Sequence, residues 1–132
     1  MGRTRSSVLT EREAEIMQVL WKSGVATAED VRAGLRGKPH GSTVRTLLRI
    51  LESKGHVRHE AAGKAYVYRA SVPRAKAQKT ALRSLVARFF GGSAEDLVVQ
   101  LIEDEQLTPE QLDQIRKSVS QERGARRRGA LP

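Results

Sequence analysis

The chain has 132 residues, 39% of them apolar and only 4% aromatic, with no cysteine and a formal net charge of +9. That length allows one compact domain with a modest appendage, its core built from Leu, Val, Ile and Ala, and the missing cysteine excludes a disulfide scaffold or a thiolate metal site. No apolar run approaches the roughly 18–20 residues needed to span a bilayer, and the N-terminus has no apolar signal segment, so a cytoplasmic protein with no membrane partner is expected.

The charge is unevenly spread. Residues 1–80 carry 16 Lys and Arg against 7 Asp and Glu, whereas residues 81–122 are net −4 before the basic end Arg123, Arg126, Arg127 and Arg128. A basic half followed by an acidic one fits a polyanionic partner for the first half, though simple solubility accounts for charge alone equally well.

Residues 1–9 read as a flexible basic arm. Met1-Gly2-Arg3-Thr4-Arg5-Ser6 also matches the short N-myristoylation pattern, without any other membrane feature to support it. Thr10-Glu11-Arg12-Glu13 reads as a capping box, and Ala14, Ile16, Met17, Leu20 and Trp21 recur at helical spacing. This predicts a first helix over about 11–22, ended by Gly24. Thr27-Ala28-Glu29-Asp30 opens a second short helix, about 28–35, with Val31 and Leu35 on its apolar face, and Gly37, Pro39 and Gly41 mark a turn.

Ser42 opens a third helix, about 42–54. Val44, Leu47, Leu48 and Leu51 form its apolar face; Thr43, Arg45, Thr46 and Arg49 lie opposite, with Lys54 at the end and Gly55 as the stop. Val57 and the Tyr66-Val67-Tyr68 run, separated by a Gly63-containing turn, predict a β-hairpin. After Pro73, helices are expected over about 74–90, from about 94 behind Ser93, and from about 109 behind Thr108-Pro109. Residues 122–132 read as a disordered basic tail.

Three short helices followed by a hairpin is the order of a winged helix-turn-helix, which sets its third helix in the DNA major groove. Arg45 and Arg49 share one face and reach guanine edges or phosphates; Ser42, Thr43 and Thr46 are short donors, and the threonine methyls suit thymine. With no asparagine in the chain, adenine must be read by Gln, Thr or DNA shape. Lys54 joins this basic set. On the hairpin, Arg58, Lys64 and Arg69 either touch phosphates or protect an ordinary edge hairpin. His40, His56 and His59 read as surface or phosphate-proximal residues. No catalytic constellation, metal site, cofactor site or ligand pocket is apparent, so the chain is not expected to be an enzyme.

These segments, taken together, resemble the penicillinase-repressor family (BlaI/MecI/CopY-like winged-helix transcriptional regulators). The resemblance runs from about Leu9 to Val119 and is carried by Leu9 to Met17 with Leu20-Trp21, Ser42 to Leu51 with Lys54-Gly55, Tyr66-Val67-Tyr68, and Phe90-Gly91-Gly92-Ser93 with Leu97-Val98. It implies a mostly α fold with a small β-hairpin: a winged helix-turn-helix over 10–72, then a helical dimerisation region over 73–121. It also implies a homodimer, held through Leu82, Leu85, Phe89, Leu97, Leu101, Leu112 and Ile115, that represses transcription from a palindromic double-stranded operator of resistance or homeostasis genes. Thr43, Arg45 and Thr46 match the family's DNA-contacting helix. Antibiotic-responsive members are cleaved at an Asn-Phe bond, where this chain has Gln100-Leu101, which leaves a sensor or protease partner open. Copper-responsive members carry a Cys-x-Cys pair that is absent here. The alternatives are a non-specific architectural DNA-binding protein and a winged-helix protein-interaction module.

Overall fold

In a computed structural model, which describes residues 9–130, the chain orders as α1 (Glu11–Ser23), α2 (Ala28–Ala33), α3 (Gly41–Ser53), β1 (Val57–Ala62), β2 (Ala65–Ala70), α4 (Arg74–Phe89), α5 (Ala94–Glu103) and α6 (Pro109–Ala130). This is a mostly helical fold with one two-stranded sheet, and its first five elements form a winged helix-turn-helix. The arm expected at residues 1–9, with its myristoylation pattern, lies outside the described residues as far as Val8. Among the described residues no helix is long and apolar enough to cross a membrane.

The helix starts follow their caps. Thr10 Oγ1 accepts from the Glu13 N–H at 3.2 Å, and the Thr10 N–H donates to Glu13 Oε1 at 2.9 Å. Thr27 and Asp30 repeat this reciprocal arrangement at α2, and Thr108 and Gln111 at α6. Each pair satisfies N–H groups that the first helical turn leaves without partners.

Helices α1–α3 and the hairpin close around one core. Ile16, Met17 and Leu20 of α1, Val31 of α2, Val44, Leu48 and Leu51 of α3, and Val57 of β1 are at most 2% exposed. The helical residues among these recur at helical spacing on their apolar faces, so their burial follows directly from the sequence pattern. Leu48 sits at 0% exposure in the middle of α3. Leu48→Ala is expected to lower stability by about 2–5 kcal/mol, through lost burial plus the cavity left behind; urea unfolding monitored by circular dichroism measures it.

β1 and β2 pair antiparallel from Val57↔Ala70 to Ala62↔Ala65. Gly63 and Lys64 make the turn, with Gly63 at φ +65°, as a type II′ hairpin requires at its first central position. Alternation sends Val57, His59, Ala61, Tyr66 and Tyr68 to one face and Arg58, Glu60, Val67 and Arg69 to the other. Ala26, between α1 and α2, adds a single antiparallel bridge to Tyr68, with bonds of 3.0 and 2.7 Å. This one-residue strand anchors the hairpin to the helices.

The chain divides into two compact units, up to Ser84 and from Leu85. The division falls inside α4, later than the Pro73 boundary expected from the sequence. The start of α4 stays with the first unit, where the Trp21 indole N–H donates to the Val72 carbonyl at 2.9 Å. At the other end, the stretch expected to be a disordered tail from residue 122 is helical as far as Ala130. Ala, Arg, Gln and Glu are strong helix formers, which lets α6 run on through Gly124 and Gly129.

Candidate nucleic-acid interface

Helix α3 separates its residues by angle. At about 100° per residue, Arg45, Arg49, Ser42, Thr46, Ile50 and Thr43 occupy one continuous arc of roughly 160°, and all six are exposed. Val44, Leu48 and Leu51 on the other side are fully buried and fix the helix to the domain. The helix begins one residue before the expected Ser42. His40 is its N-cap, its Nδ1 accepting from the Ser42 N–H at 3.3 Å and lying 2.9 Å from Ser42 Oγ. Ser42 is thus exposed but already hydrogen-bonded to the cap.

Beside this arc stands the hairpin. Arg58 is directly opposite Arg69 on its outer face, and Lys64 occupies the tip. Arg69 lies 3.6 Å from Glu60 in an exposed pair, which screening makes weak. On the inner face His59, Tyr66 and Tyr68 form an aromatic cluster, with His59 4.4 Å from Tyr66 and 5.7 Å from Tyr68 between ring centroids. His59 Nδ1 is 2.8 Å from both carboxylate oxygens of Glu52, joining the wing to the end of α3. Burial raises the pKa of the Tyr68 phenol, with Glu52 and Tyr66 acting in the same direction and Arg45 and Arg49 against it. Both guanidinium groups therefore lie within electrostatic reach of the root of the wing.

Two expected positions belong elsewhere. Lys54 does not join the outward basic set: its ammonium lies 2.9 and 3.0 Å from the two carboxylate oxygens of Glu13, with side-chain exposures of 16% and 3%. A charge on a buried carboxylate requires a partner, and Lys54 is that partner. His56, expected at the surface or near phosphate, is buried at 8% exposure, and neither ring nitrogen has a hydrogen-bond partner. His59 is paired on the inner face, and His40 caps α3.

In the second unit the helices are amphipathic and open. Leu85, Phe89 and Ile115 are exposed, and Leu97, Leu101 and Leu112 are half-buried; Leu82, at the end of the first unit, is exposed as well. No side chain of α4 or α5 is fully buried.

Comparison with known proteins matches residues 9–121 to the family model described as penicillinase repressor. The chain belongs to the penicillinase repressor family. It is 26% identical over 109 residues to the penicillinase repressor of Bacillus licheniformis, covering 81% of this chain and 85% of that one. It is 28% identical over 111 residues to an uncharacterised 16.5 kDa protein of Latilactobacillus sakei, covering 83% and 76% respectively. Among solved structures, that of a transcriptional regulator from Thermotoga maritima matches with a TM-score of 0.47 at 19% identity, covering 93% of this chain and 80% of that one. As a member of the penicillinase repressor family, the chain is a transcriptional regulator of repressor type. One feature of its exposed α3 arc has no counterpart in the sequence reading: Ile50 is 39% exposed among the arginines and threonines. Its angle on the helix was the available signal, since it falls between Thr46 and Thr43, and an apolar side chain there suits a thymine methyl.

Proposed function

We propose that two copies of the chain assemble through α4, α5 and α6 and repress transcription from a two-fold symmetric DNA operator, with α3 in the major groove and the β1–β2 wing on the backbone. The observation that carries this reading is the separation along α3, where an apolar side fixes the helix and a continuous arc of Arg, Thr, Ser and Ile faces outward. Groove readout needs that arrangement, because base edges are met by side chains projecting from one face of a rigid helix. The exposed Leu82, Leu85, Phe89 and Ile115 support the dimer, since such faces gain most of their stability by packing against a partner. Two-fold protein symmetry then calls for half-sites spaced by whole helical turns.

Arg45 and Arg49 read bases or phosphates, and Thr43, Thr46 and Ile50 lie against the same groove. Arg58, Arg69 and Lys64 meet the sugar-phosphate backbone. The Gln100-Leu101 bond stands inside α5, so release by cleavage at an Asn-Phe bond is not part of this reading.

Footprinting on sheared genomic DNA at physiological salt tests the proposal, and discrete palindromic sites are the expected result. On a recovered site, Arg45→Ala and Arg49→Ala should each weaken binding by about 1–3 kcal/mol if they contact bases. Lys64→Ala should weaken specific and random DNA alike and flatten the salt dependence. Equal affinity for every duplex would instead establish a non-specific architectural protein.

A further inference from the structure

The first unit holds a cavity of about 320 Å³ that the DNA-facing surface does not use. Leu9, Trp21, Val72, Ala77 and Ala81 give it an apolar lining, so an apolar body entering it sheds its hydration favourably. Its volume falls at the small end of the range for small-molecule pockets, and a mostly apolar wall with a few polar groups is their usual chemistry. His56 also lines it. That ring is more than nine-tenths buried with both nitrogens unpartnered, a desolvation cost that a bound polar group would relieve.

The surroundings of the cavity are positive. Lys76 lines it, and Lys22 and Arg74 line an adjoining hollow that shares Gln18 and Trp21 with it. No Asp or Glu lines either space. Among the described residues none of these three cations has an ion-pair partner.

We propose that this cavity is an effector site for a small organic acid, whose aromatic or branched apolar body lies against Trp21 and whose carboxylate is drawn by Lys76, Lys22 and Arg74, with His56 as the buried hydrogen-bonding group. Burial, reinforced by Lys54 and opposed by Glu13, lowers the pKa of His56, so the ring is neutral near pH 7 and offers one donor and one acceptor. One wall comes from α1 and another from the start of α4. An acid touching both bridges the two elements, and it alters DNA affinity only by as much as its affinity differs between the DNA-bound and the free chain. That coupling rests on the DNA-binding reading above; the binding itself does not.

Trp21 is the only tryptophan in the chain, so its emission reports on the cavity directly. The test titrates phenylacetate, and separately its uncharged amide, into the full chain without DNA. Phenylacetate should change Trp21 emission saturably, with half-saturation near or below about 1 mM for a fragment of this size. The amide should bind about fivefold more weakly, as expected for loss of one exposed charge interaction. Lys76→Gln, an exposed substitution that leaves folding intact, should narrow that difference, and Ala77→Phe should fill the space and abolish both responses. No saturable change by about 10 mM, equal binding of acid and amide, or an undiminished response in Ala77→Phe each overturns the proposal. Because no DNA is present, any of these failures leaves the operator-binding reading intact.

Discussion

Phe89→Asp is expected to yield a folded chain that sediments as a monomer and binds its operator at least about a hundredfold more weakly. Phe89 is 69% exposed in the single chain, so replacing it removes little packing within that chain; among the described residues its ring meets the Arg88 guanidinium, 5.5 Å from the centroid. In the proposed dimer, symmetry introduces the change twice in one interface. Each lost phenyl group removes about 1.5–3 kcal/mol of burial, and each carboxylate adds a desolvation penalty of several kcal/mol in an apolar contact. Two such changes exceed what a modest dimer interface supplies. A monomer meets only one half-site and loses the effective concentration that holds the second winged domain near its own. Leu101→Asp should act in the same direction, but Leu101 is half-buried within the chain, which mixes folding with assembly. Sedimentation, circular dichroism and an operator titration separate the cases. A Phe89→Asp dimer would move the interface elsewhere, and a monomer with undiminished operator affinity would remove the dimer from the recognition mechanism.

The elements of this fold were legible because their signals are local. Thr10 with Glu13, Thr27 with Asp30, and Thr108 with Gln111 lie three residues apart, so each cap can be read in a single stretch. The two faces of α3 follow from periodicity alone. Lys54 and His56 were misplaced because their surroundings come from distant residues. Glu13 is 41 residues from Lys54, and the walls around His56 come from α1 and α4. At 100° per residue Lys54 stands about 120° from Ser42, midway between Thr43 and Leu47, so helix angle alone leaves it at the edge of the outward arc and the distant Glu13 decides its place. The same arithmetic identifies Ile50 as an outward residue. The cap of α3 was harder to read, because histidine is not among the favoured N-cap residues, and Ser42 was the better local candidate. The length of α6 turned on reading an arginine-rich run as a tail when its propensities also suit a helix.

Lys54→Met is expected to lower the stability of the chain by roughly 3 kcal/mol at pH 7, the low end for breaking a buried pair because Lys54 keeps some exposure. The loss comes from Glu13. Its side chain is 3% exposed, and without the ammonium it is a buried carboxylate held only by the Thr10 backbone N–H and hydroxyl. Burial by itself raises the pKa of Glu13, but the hydrogen bond from the Thr10 N–H and the bonds and charge of Lys54 outweigh it and hold the carboxyl below its ordinary value of 4.5. A carboxylate whose pKa is lowered on folding contributes stability that is present above pH 4.5 and is lost as the pH falls through the folded value. In the parent chain, stability should therefore decline on acidification below that point. In Lys54→Met the lowering influence of the ammonium is gone, so protonation of Glu13 relieves the buried charge. The gap between the two proteins should then narrow as the pH falls. The double substitution Glu13→Gln with Lys54→Met should recover most of the loss at pH 7, since neither partner is left buried and charged. Urea unfolding at pH 7 and at about pH 3.5 measures both effects. A gap of constant size at the two pH values would assign the cost to the packing of the lysine methylenes rather than to the ion pair, and an undiminished loss in the double variant would point the same way.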